Sequence, residues 1–320
     1  MRQGAAIANH RDSIILPPGA VRVLLALAVV ISHVSQFDIG RLAVALFFLL
    51  SGYWISSLWE RQGGIHRLPL FFLNRFLRIW PLYIIAALLA GLLLGRDLPL
   101  TSYTLIGVAS TPGPKPLGVE WSLDVEAQFY LLLPLIAAVR PLALLVLPFA
   151  AGWWLYEAHG IITVAMYFPA FAAGMLLYRR RAAPLRIGPL ASLLAFAALT
   201  LVLAALPQTR GMLWAGGARI MNIDLFAMLW MLPLIPYIAA SLRRPSSPFD
   251  RHLGAFSYPL YLVHEPVIRY GVAHGWPKPA WLAAGFILAL LFYLLLDIPI
   301  EKARYRLLER VQRRLSVDTG

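Results

Sequence analysis

The sequence predicts an all-α membrane protein, a polytopic bundle of about ten transmembrane helices with one short re-entrant or interfacial segment. Of its 320 residues, 60% are hydrophobic and 13% are charged, whereas soluble domains average about 45–50% and about 25%. The mean hydropathy is +0.72 and the chain has no cysteine. This composition excludes a disordered chain, a disulfide scaffold and thiolate chemistry.

Ten apolar runs approach the roughly 20 residues that a helix needs to cross about 30 Å of hydrocarbon. They cover residues 17–36, 41–59, 72–95, 120–139, 141–157, 160–178, 188–206, 218–240, 252–271 and 279–298. An eleventh run, Leu98–Ser110, is only 13 residues long and contains Thr101, Ser102, Tyr103 and Thr104. Its length and polarity favour a segment that enters or lies on the membrane without crossing it.

Lysine and arginine are distributed unevenly about these spans. With ten crossings, 20 of the 28 basic residues fall on one face, 7 on the other, and Arg22 lies within the first span. This bias follows the positive-inside rule and would collapse if Leu98–Ser110 also crossed. It predicts a multi-pass protein of the plasma membrane with both termini cytoplasmic. The net charge of +13 is then explained by contact with anionic lipid, without any nucleic acid.

Two regions are predicted along the chain, a transmembrane domain over residues 1–300 and a basic tail over 301–320. In the tail, Leu307, Leu308, Val311 and Leu315 recur at helical spacing among arginines. This pattern is typical of an amphipathic helix that lies on the cytoplasmic leaflet.

Several ionisable side chains fall inside the predicted spans, where a charge costs at least about 2.5 kcal/mol. Four of them are predicted at one depth, near the outer face: His33, Glu126, Asp224 and His264. Their convergence indicates a shared site, although helix packing or capping could explain each one singly. Four polar or aromatic residues adjoin them in the sequence and join the predicted site: Trp121, Ser122, Asn222 and Tyr258.

On the cytoplasmic side, Arg75 and Arg78 lie one helical turn apart at the start of the third span. Two guanidinium groups on one helix face form a bidentate anion site suited to phosphate. Arginines at a cytoplasmic helix end also serve as topology signals, and Arg22 could extend to the inner headgroups.

These residues stand in motifs that resemble those of the acyltransferase-3 family of integral-membrane O-acyltransferases. Arg22-x10-His33 is similar to the family's first-helix motif, and Arg75-x-x-Arg78 to its paired arginines. The strings FFLLSGYWI, WSLDVEAQFYLLLPL and LGAFSYPLYLVHEPV follow in the family's order, and LLLDIPIEKAR resembles its Glu-x-Pro signature with Asp297 in place of Glu. One departure is Ala45, near which many relatives carry an acidic residue.

The resemblance implies an enzyme of the bacterial inner membrane that moves an acyl group, with acetyl expected, from acyl-CoA to a hydroxyl of a carbohydrate or similar acceptor. Acyl-CoA (acetyl-CoA) is the implied donor substrate, with no permanently bound cofactor or metal. The implied partners are a glycan, a lipid-linked sugar or a small hydroxyl compound, and membrane lipid. The residue roles follow: donor binding by Arg22, Arg75 and Arg78; catalysis by His33 and Glu126; acceptor binding by Trp121, Ser122, Asn222, Asp224, Tyr258 and His264.

An acceptor hydroxyl must lose its proton as it attacks, a task suited to the imidazole of His33. A transient acyl-His33 is an alternative route. Three other classes of protein remain open: a secondary transporter of a small polar or anionic substrate, a non-catalytic sensor or scaffold, and a membrane acyltransferase of another fold. The last would need a buried asparagine beside its histidine, and Asn74 and Asn222 lie near spans.

Overall fold

The computed structural model describes residues 14–113, 115–138 and 146–317. Within them the regular structure is helical, with one isolated antiparallel bridge between Phe37 and Trp214. The prediction of an all-α fold is confirmed. Proline is the first residue of four helices, at Pro18, Pro189, Pro207 and Pro248, where its missing N–H costs no hydrogen bond.

The described residues form fourteen α-helices. They are α1 Pro18–Val34, α2 Ile39–Arg61, α3 Leu68–Leu94, α4 Leu100–Thr104, α5 Glu120–Ala138, α6 Val146–His159, α7 Val164–Arg179, α8 Pro189–Ala205, α9 Pro207–Arg210, α10 Ile223–Trp230, α11 Ile235–Leu242, α12 Pro248–Ala273, α13 Lys278–Phe292 and α14 Ile298–Val317. Short 3-10 helices cover Gly64–Arg67 and Leu232–Leu234, and a π-helical turn covers Tyr293–Asp297.

Each of the ten predicted spans contains helix. By length and composition, four stretches among the described residues could cross a membrane: Ile39–Arg61, Gly64–Leu94, Ile223–Leu242 and Lys278–Arg314. Three shorter apolar helices, α1, α7 and α8, have 16 or 17 residues. Ten crossings therefore stay a prediction. The segment Leu98–Ser110 contains only the five residues of α4, too few to cross at about 1.5 Å per residue.

Some sequence predictions fall outside the described residues. Arg2, Arg11 and Arg140, which the charge pattern assigns to the cytoplasmic face, lie there. So do residue 139 at the end of the fourth predicted span and residues 141–145 at the start of the fifth.

The chain divides into two compact units, and the division falls within α2, α7 and α12. The first unit comprises the described residues up to Tyr53 together with Ala170–Ser257. In it, the Asp250 carboxylate accepts hydrogen bonds from the backbone N–H groups of Gly19 and Ala20, at 3.1 and 2.7 Å. The first turn of a helix has no internal partners for its N–H groups. Asp250 of α12 therefore caps α1.

Two glycines allow α2 and α7 to pack closely in the first unit. A Cβ added at Gly52 would lie 2.1 Å from the carbonyl oxygen of Phe171, and one added at Gly174 would lie 1.8 Å from that of Leu49. Both distances are far below van der Waals contact, so only glycine fits. Small residues at helix contacts are typical of membrane bundles.

The second unit comprises the described residues of Trp54–Pro169 and Tyr258–Gly320. The stretch from α13 through the π-helical turn to α14 is one continuous helix, and α14 packs along α3. Arg304 and Leu308 of α14 are buried, while most of its other arginines are exposed. The predicted tail is therefore helical and amphipathic over its described part. The domain boundary at residue 300 and the location of the tail on the leaflet stay predictions.

Candidate functional site

The predicted site residues divide between the two units. Four belong to the first unit: Arg22, His33, Asn222 and Asp224. Seven belong to the second: Arg75, Arg78, Trp121, Ser122, Glu126, Tyr258 and His264. The common depth of the four ionisable residues and the meeting of His33 with Glu126 therefore stay predictions.

α1 carries both His33 and Arg22. His33 lies in the last turn of α1, and its side chain is exposed. Arg22 lies eleven residues earlier, which corresponds to roughly 16 Å along the helix. It is half-buried beside α12, where a Cβ added at Gly254 would lie 3.6 Å from its Nη1. The structure thus presents an accessible imidazole at one end of α1 and a guanidinium near the other.

Asn222 and Asp224 begin α10. The Asn222 side-chain oxygen accepts a hydrogen bond from the backbone N–H of Asp224 at 2.8 Å, which makes it the N-cap of this helix. The buried Asp224 carboxylate forms an ion pair with Arg41 at 2.7 Å. Both side chains thus have structural roles, and their assignment to the acceptor stays a prediction.

Glu126 lies in the second turn of α5, where it is half-buried. Its Oε1 accepts a hydrogen bond from the Tyr130 hydroxyl at 2.5 Å, one turn further along the helix. The guanidinium of Arg75 lies 5.7 Å from the centre of the Tyr130 ring, within the range of a cation–π contact. Tyr130 therefore lies between the predicted catalytic carboxylate and one of the predicted donor-binding arginines.

Arg78 is held by two carboxylates and an aromatic ring. Its Nη1 lies 3.1 Å from Asp297 Oδ1 and 3.1 Å from Glu301 Oε1. Its guanidinium also lies 5.3 Å from the centre of the Tyr258 ring, and the Tyr258 hydroxyl donates a hydrogen bond to the Ile79 carbonyl at 2.9 Å. The charge of Arg78 is therefore balanced inside the protein.

Arg75 has different partners. Its Nη2 donates to the side-chain oxygen of Asn74 at 3.2 Å. No carboxylate of the described residues lies within 4.0 Å of its guanidinium nitrogens. The two predicted phosphate-binding arginines thus differ: Arg78 is paired with acidic groups, whereas Arg75 contacts a neutral amide and an aromatic ring.

A third arginine, Arg304 of α14, completes this cluster. Its Nη1 donates to Asn74 Oδ1 and its Nη2 to Glu301 Oε2. Sequence reasoning assigned residues after 300 to a surface tail and missed both Glu301 and Arg304. Asp297, Glu301 and Arg304 are spaced by four and then three residues, which places them on one helix face. From that spacing, Glu301 and Arg304 could have been predicted to share a helix face with Asp297.

The remaining predicted residues lie around the start of α5 and in α12. The Trp121 ring lies 5.5 Å from that of Tyr167. The Ser122 hydroxyl lies 2.6 Å from the Tyr261 hydroxyl. His264 is buried, and its Nδ1 lies 3.0 Å from the Leu260 carbonyl oxygen. Since a carbonyl only accepts, this contact assigns the proton to Nδ1 in the neutral ring.

Two further carboxylates position the loop before α5. Glu120 accepts a hydrogen bond from the backbone N–H of Leu117 at 2.8 Å. Asp124 accepts one from the backbone N–H of Ala109 at 2.8 Å and one from Gln128 Nε2 at 2.9 Å. Both are fully buried. Glu126 therefore differs from its acidic neighbours, which hold the backbone that carries Trp121 and Ser122.

Comparison with known proteins gives a consistent result. The family model of an acyltransferase domain matches residues 19–298. Among curated proteins, nodulation protein 10 of Rhizobium leguminosarum bv. viciae is 30% identical over 86% of this chain and 85% of its own. Acyltransferase MdmB of Streptomyces mycarofaciens is 25% identical over 80% and 81%. Peptidoglycan O-acetyltransferase OatA of Listeria monocytogenes serovar 1/2a is 24% identical over 88% and 55%. No solved structure matches the chain.

Proposed function

Because the chain belongs to the acyltransferase-3 family of membrane O-acyltransferases, we propose that this enzyme moves an acyl group, with acetyl expected, from acyl-CoA to a hydroxyl of a carbohydrate or similar acceptor. It works in the inner membrane of a bacterium, with ten spans and both termini cytoplasmic. OatA is named for peptidoglycan, which favours a glycan acceptor over a small metabolite.

The arginine cluster of α3 and α14 supports the acyl-CoA donor. Coenzyme A carries several phosphate oxygens, and guanidinium groups bind such oxygens through parallel hydrogen bonds. No carboxylate of the described residues lies within 4.0 Å of the Arg75 guanidinium, and the carboxylate of Glu126 attracts it from further away. The sequence assigns this end of α3 to the cytoplasm, where acyl-CoA is available. Arg78 and Arg22 are proposed as further donor contacts.

His33 acts as the general base of the transfer step. Its imidazole removes the proton of the acceptor hydroxyl while the oxygen attacks the thioester carbonyl. The carbon–sulfur bond breaks, and the coenzyme A thiolate leaves and takes up that proton. Glu126 orients the imidazole or stabilises its protonated form. In the alternative route His33 itself accepts the acyl group and passes it to the acceptor in a second step.

The acceptor side is assigned to Trp121, Ser122, Asn222, Asp224, Tyr258 and His264. Trp121 and Tyr167 provide neighbouring rings on the second unit. Aromatic rings offer apolar surface together with polar edges, which suits an acceptor that carries both C–H and O–H groups. Hydroxyl and imidazole groups supply the hydrogen bonds that select it.

The test combines a cellular and a purified assay. Mass spectrometry of cell-envelope glycans from cells with and without the protein should show an O-acyl group that is lost with the gene. Purified protein supplied with labelled acetyl-CoA and that glycan should transfer the label. His33→Ala and Glu126→Ala should each abolish transfer, whereas His66→Ala, at an exposed histidine, should not. Near-normal transfer by either of the first two variants would remove that residue from the mechanism. Substrate movement without acyl transfer would favour a transporter.

A further inference from the structure

Arg304 is buried within the cluster that the proposed donor would approach. Its side chain belongs to a residue that is 6% exposed. A buried guanidinium is costly unless its donors are satisfied and its charge is paired. Glu301 on α14 pairs with the charge of Arg304 and Asn74 on α3 accepts from a second nitrogen, whereas Arg304 Nε has no hydrogen-bond partner among the described residues. α14 therefore places a buried charged group in contact with α3, which a helix that serves only as a surface anchor would not require.

Arg304 is connected to both arginines of the Arg75-x-x-Arg78 pair. Asn74 Oδ1 accepts from Arg304 and also from Arg75. Glu301 accepts from Arg304 through Oε2 and lies 3.1 Å from Arg78 through Oε1. One shared acceptor thus links Arg304 to each member of the pair. Removing Arg304 would loosen both links at once.

Asn74 is held in one orientation by this arrangement. Its residue is only 4% exposed. An amide oxygen has two acceptor positions, and two guanidinium donors occupy them here. The amide nitrogen is itself a donor and could not replace the oxygen against two donors. The neighbours therefore fix the amide, and the fixed amide in turn orients Arg75.

The neutral charge of Asn74 has a consequence for anion binding. Three guanidinium groups share two carboxylates, Asp297 and Glu301, within ion-pair distance. Those ion pairs involve Arg78 and Arg304, whereas the carboxylate that attracts the guanidinium of Arg75, that of Glu126, lies beyond 4.0 Å from it. The Asn74 amide orients the Arg75 guanidinium and leaves its charge in place. A carboxylate at the same position would orient the guanidinium and also cancel its charge.

We propose that Asn74 and Arg304 are positioning residues that hold Arg75 ready for the phosphate groups of the acyl donor. The inference rests on the proposed function, because it takes acyl-CoA as the donor. Neither residue needs to touch the donor. α14 then forms part of the donor site, and it acts through Asn74 and Glu301.

Asn74→Asp tests whether the residue that orients Arg75 has to be neutral, because it keeps the acceptor oxygens and changes only the charge. An aspartate retains oxygens for both arginines, so the variant should unfold at a temperature equal to or above that of the parent protein. It also adds a negative charge beside Arg75. Two charges about 4 Å apart interact strongly in a partly buried site. The dissociation constant of acetyl-CoA should therefore rise by about tenfold or more. If Arg75 and its neutral neighbour had no part in donor binding, this constant would stay unchanged.

Equilibrium dialysis of radiolabelled acetyl-CoA against the purified full-length protein in detergent measures this constant without any acceptor. Arg304→Lys retains the charge but lacks the fork that reaches Asn74 and Glu301 together, so the dissociation constant should rise several-fold. The matched control is Arg306→Ala, which removes one charge from an exposed position of the same helix and should bind as the parent does.

The outcomes separate this inference from the proposed function. If the parent protein does not bind acetyl-CoA, the proposed donor is wrong and the inference fails with it. If the parent binds and folded Asn74→Asp binds equally well, the inference alone is overturned. If Asn74→Asp does not fold, Arg304→Lys decides in the same way, since unchanged binding by that variant refutes a positioning role.

Discussion

Asp250 should be the main anchor of α1, and Asp250→Ala tests this directly. The residue is 2% exposed, and its carboxylate accepts hydrogen bonds from Gly19, Ala20 and the Ser246 hydroxyl. Hydrogen bonds to a charged group contribute about 1.5–3 kcal/mol each. Loss of the two backbone bonds at the lower value destabilises the protein by about 3 kcal/mol. For 320 residues, this corresponds to a fall in melting temperature of roughly 4–5 °C.

Thermal unfolding of the purified protein in one detergent provides the assay. The melting temperature of Asp250→Asn should lie between those of the parent and of Asp250→Ala, because an amide keeps one acceptor oxygen but turns a donor group towards the other N–H. Asp97→Ala is the matched control, since Asp97 is exposed and should leave the melting temperature unchanged. A melting temperature of Asp250→Ala within about 1 °C of the parent would refute the capping role.

Two further predictions concern the hydrogen bond to Glu126 and the contact between α2 and α7. Tyr130→Phe removes the hydrogen bond to Glu126 but keeps the ring beside Arg75. Acyl transfer should therefore fall about tenfold, with little change in acetyl-CoA binding. A parallel loss of binding would contradict the assignment of Glu126 to catalysis and of Arg75 to the donor. Gly174→Ala forces a Cβ to within 1.8 Å of the α2 backbone, so little folded protein should be recovered by size-exclusion chromatography. Gly188→Ala, with no atom within 4 Å of the added Cβ, should be recovered normally.

The positions of the helices could be predicted from the long apolar runs. In lipid, a single segment can form hydrogen bonds with all its backbone N–H and C=O groups only as an α-helix. Helix interruptions were harder to predict. The eighth predicted span, residues 218–240, divides into α10, a 3-10 helix and α11. Pro233 and Pro236 lie at this break, and proline removes a backbone donor and crowds the preceding turn. The sequence contained this signal, although the run is apolar throughout.

The candidate site was predictable only where it is local. The spacing of Arg75 and Arg78 indicates a shared helix face, and α3 presents both to one cluster. Their unequal partners were not predictable, because Asp297 lies 219 residues after Arg78 and Arg304 lies 230 residues after Asn74. Composition and periodicity describe one helix at a time. They do not determine which two helices lie together.

The π-helical turn Tyr293–Asp297 has a consequence for the direction in which the last helix displays its charges. A π-helical turn holds about one residue more than an α-helical turn, so the residues beyond it lie about 100° from the positions that their numbers would give in a regular α-helix. Upstream of the turn the helix is almost wholly apolar, and downstream it carries Glu301 and Arg304. This offset changes which face of the continuous helix the charged residues after the turn occupy. A homologue that lacked one residue of this turn could close it as an ordinary α-helical turn and still aim its acidic and basic groups at α3.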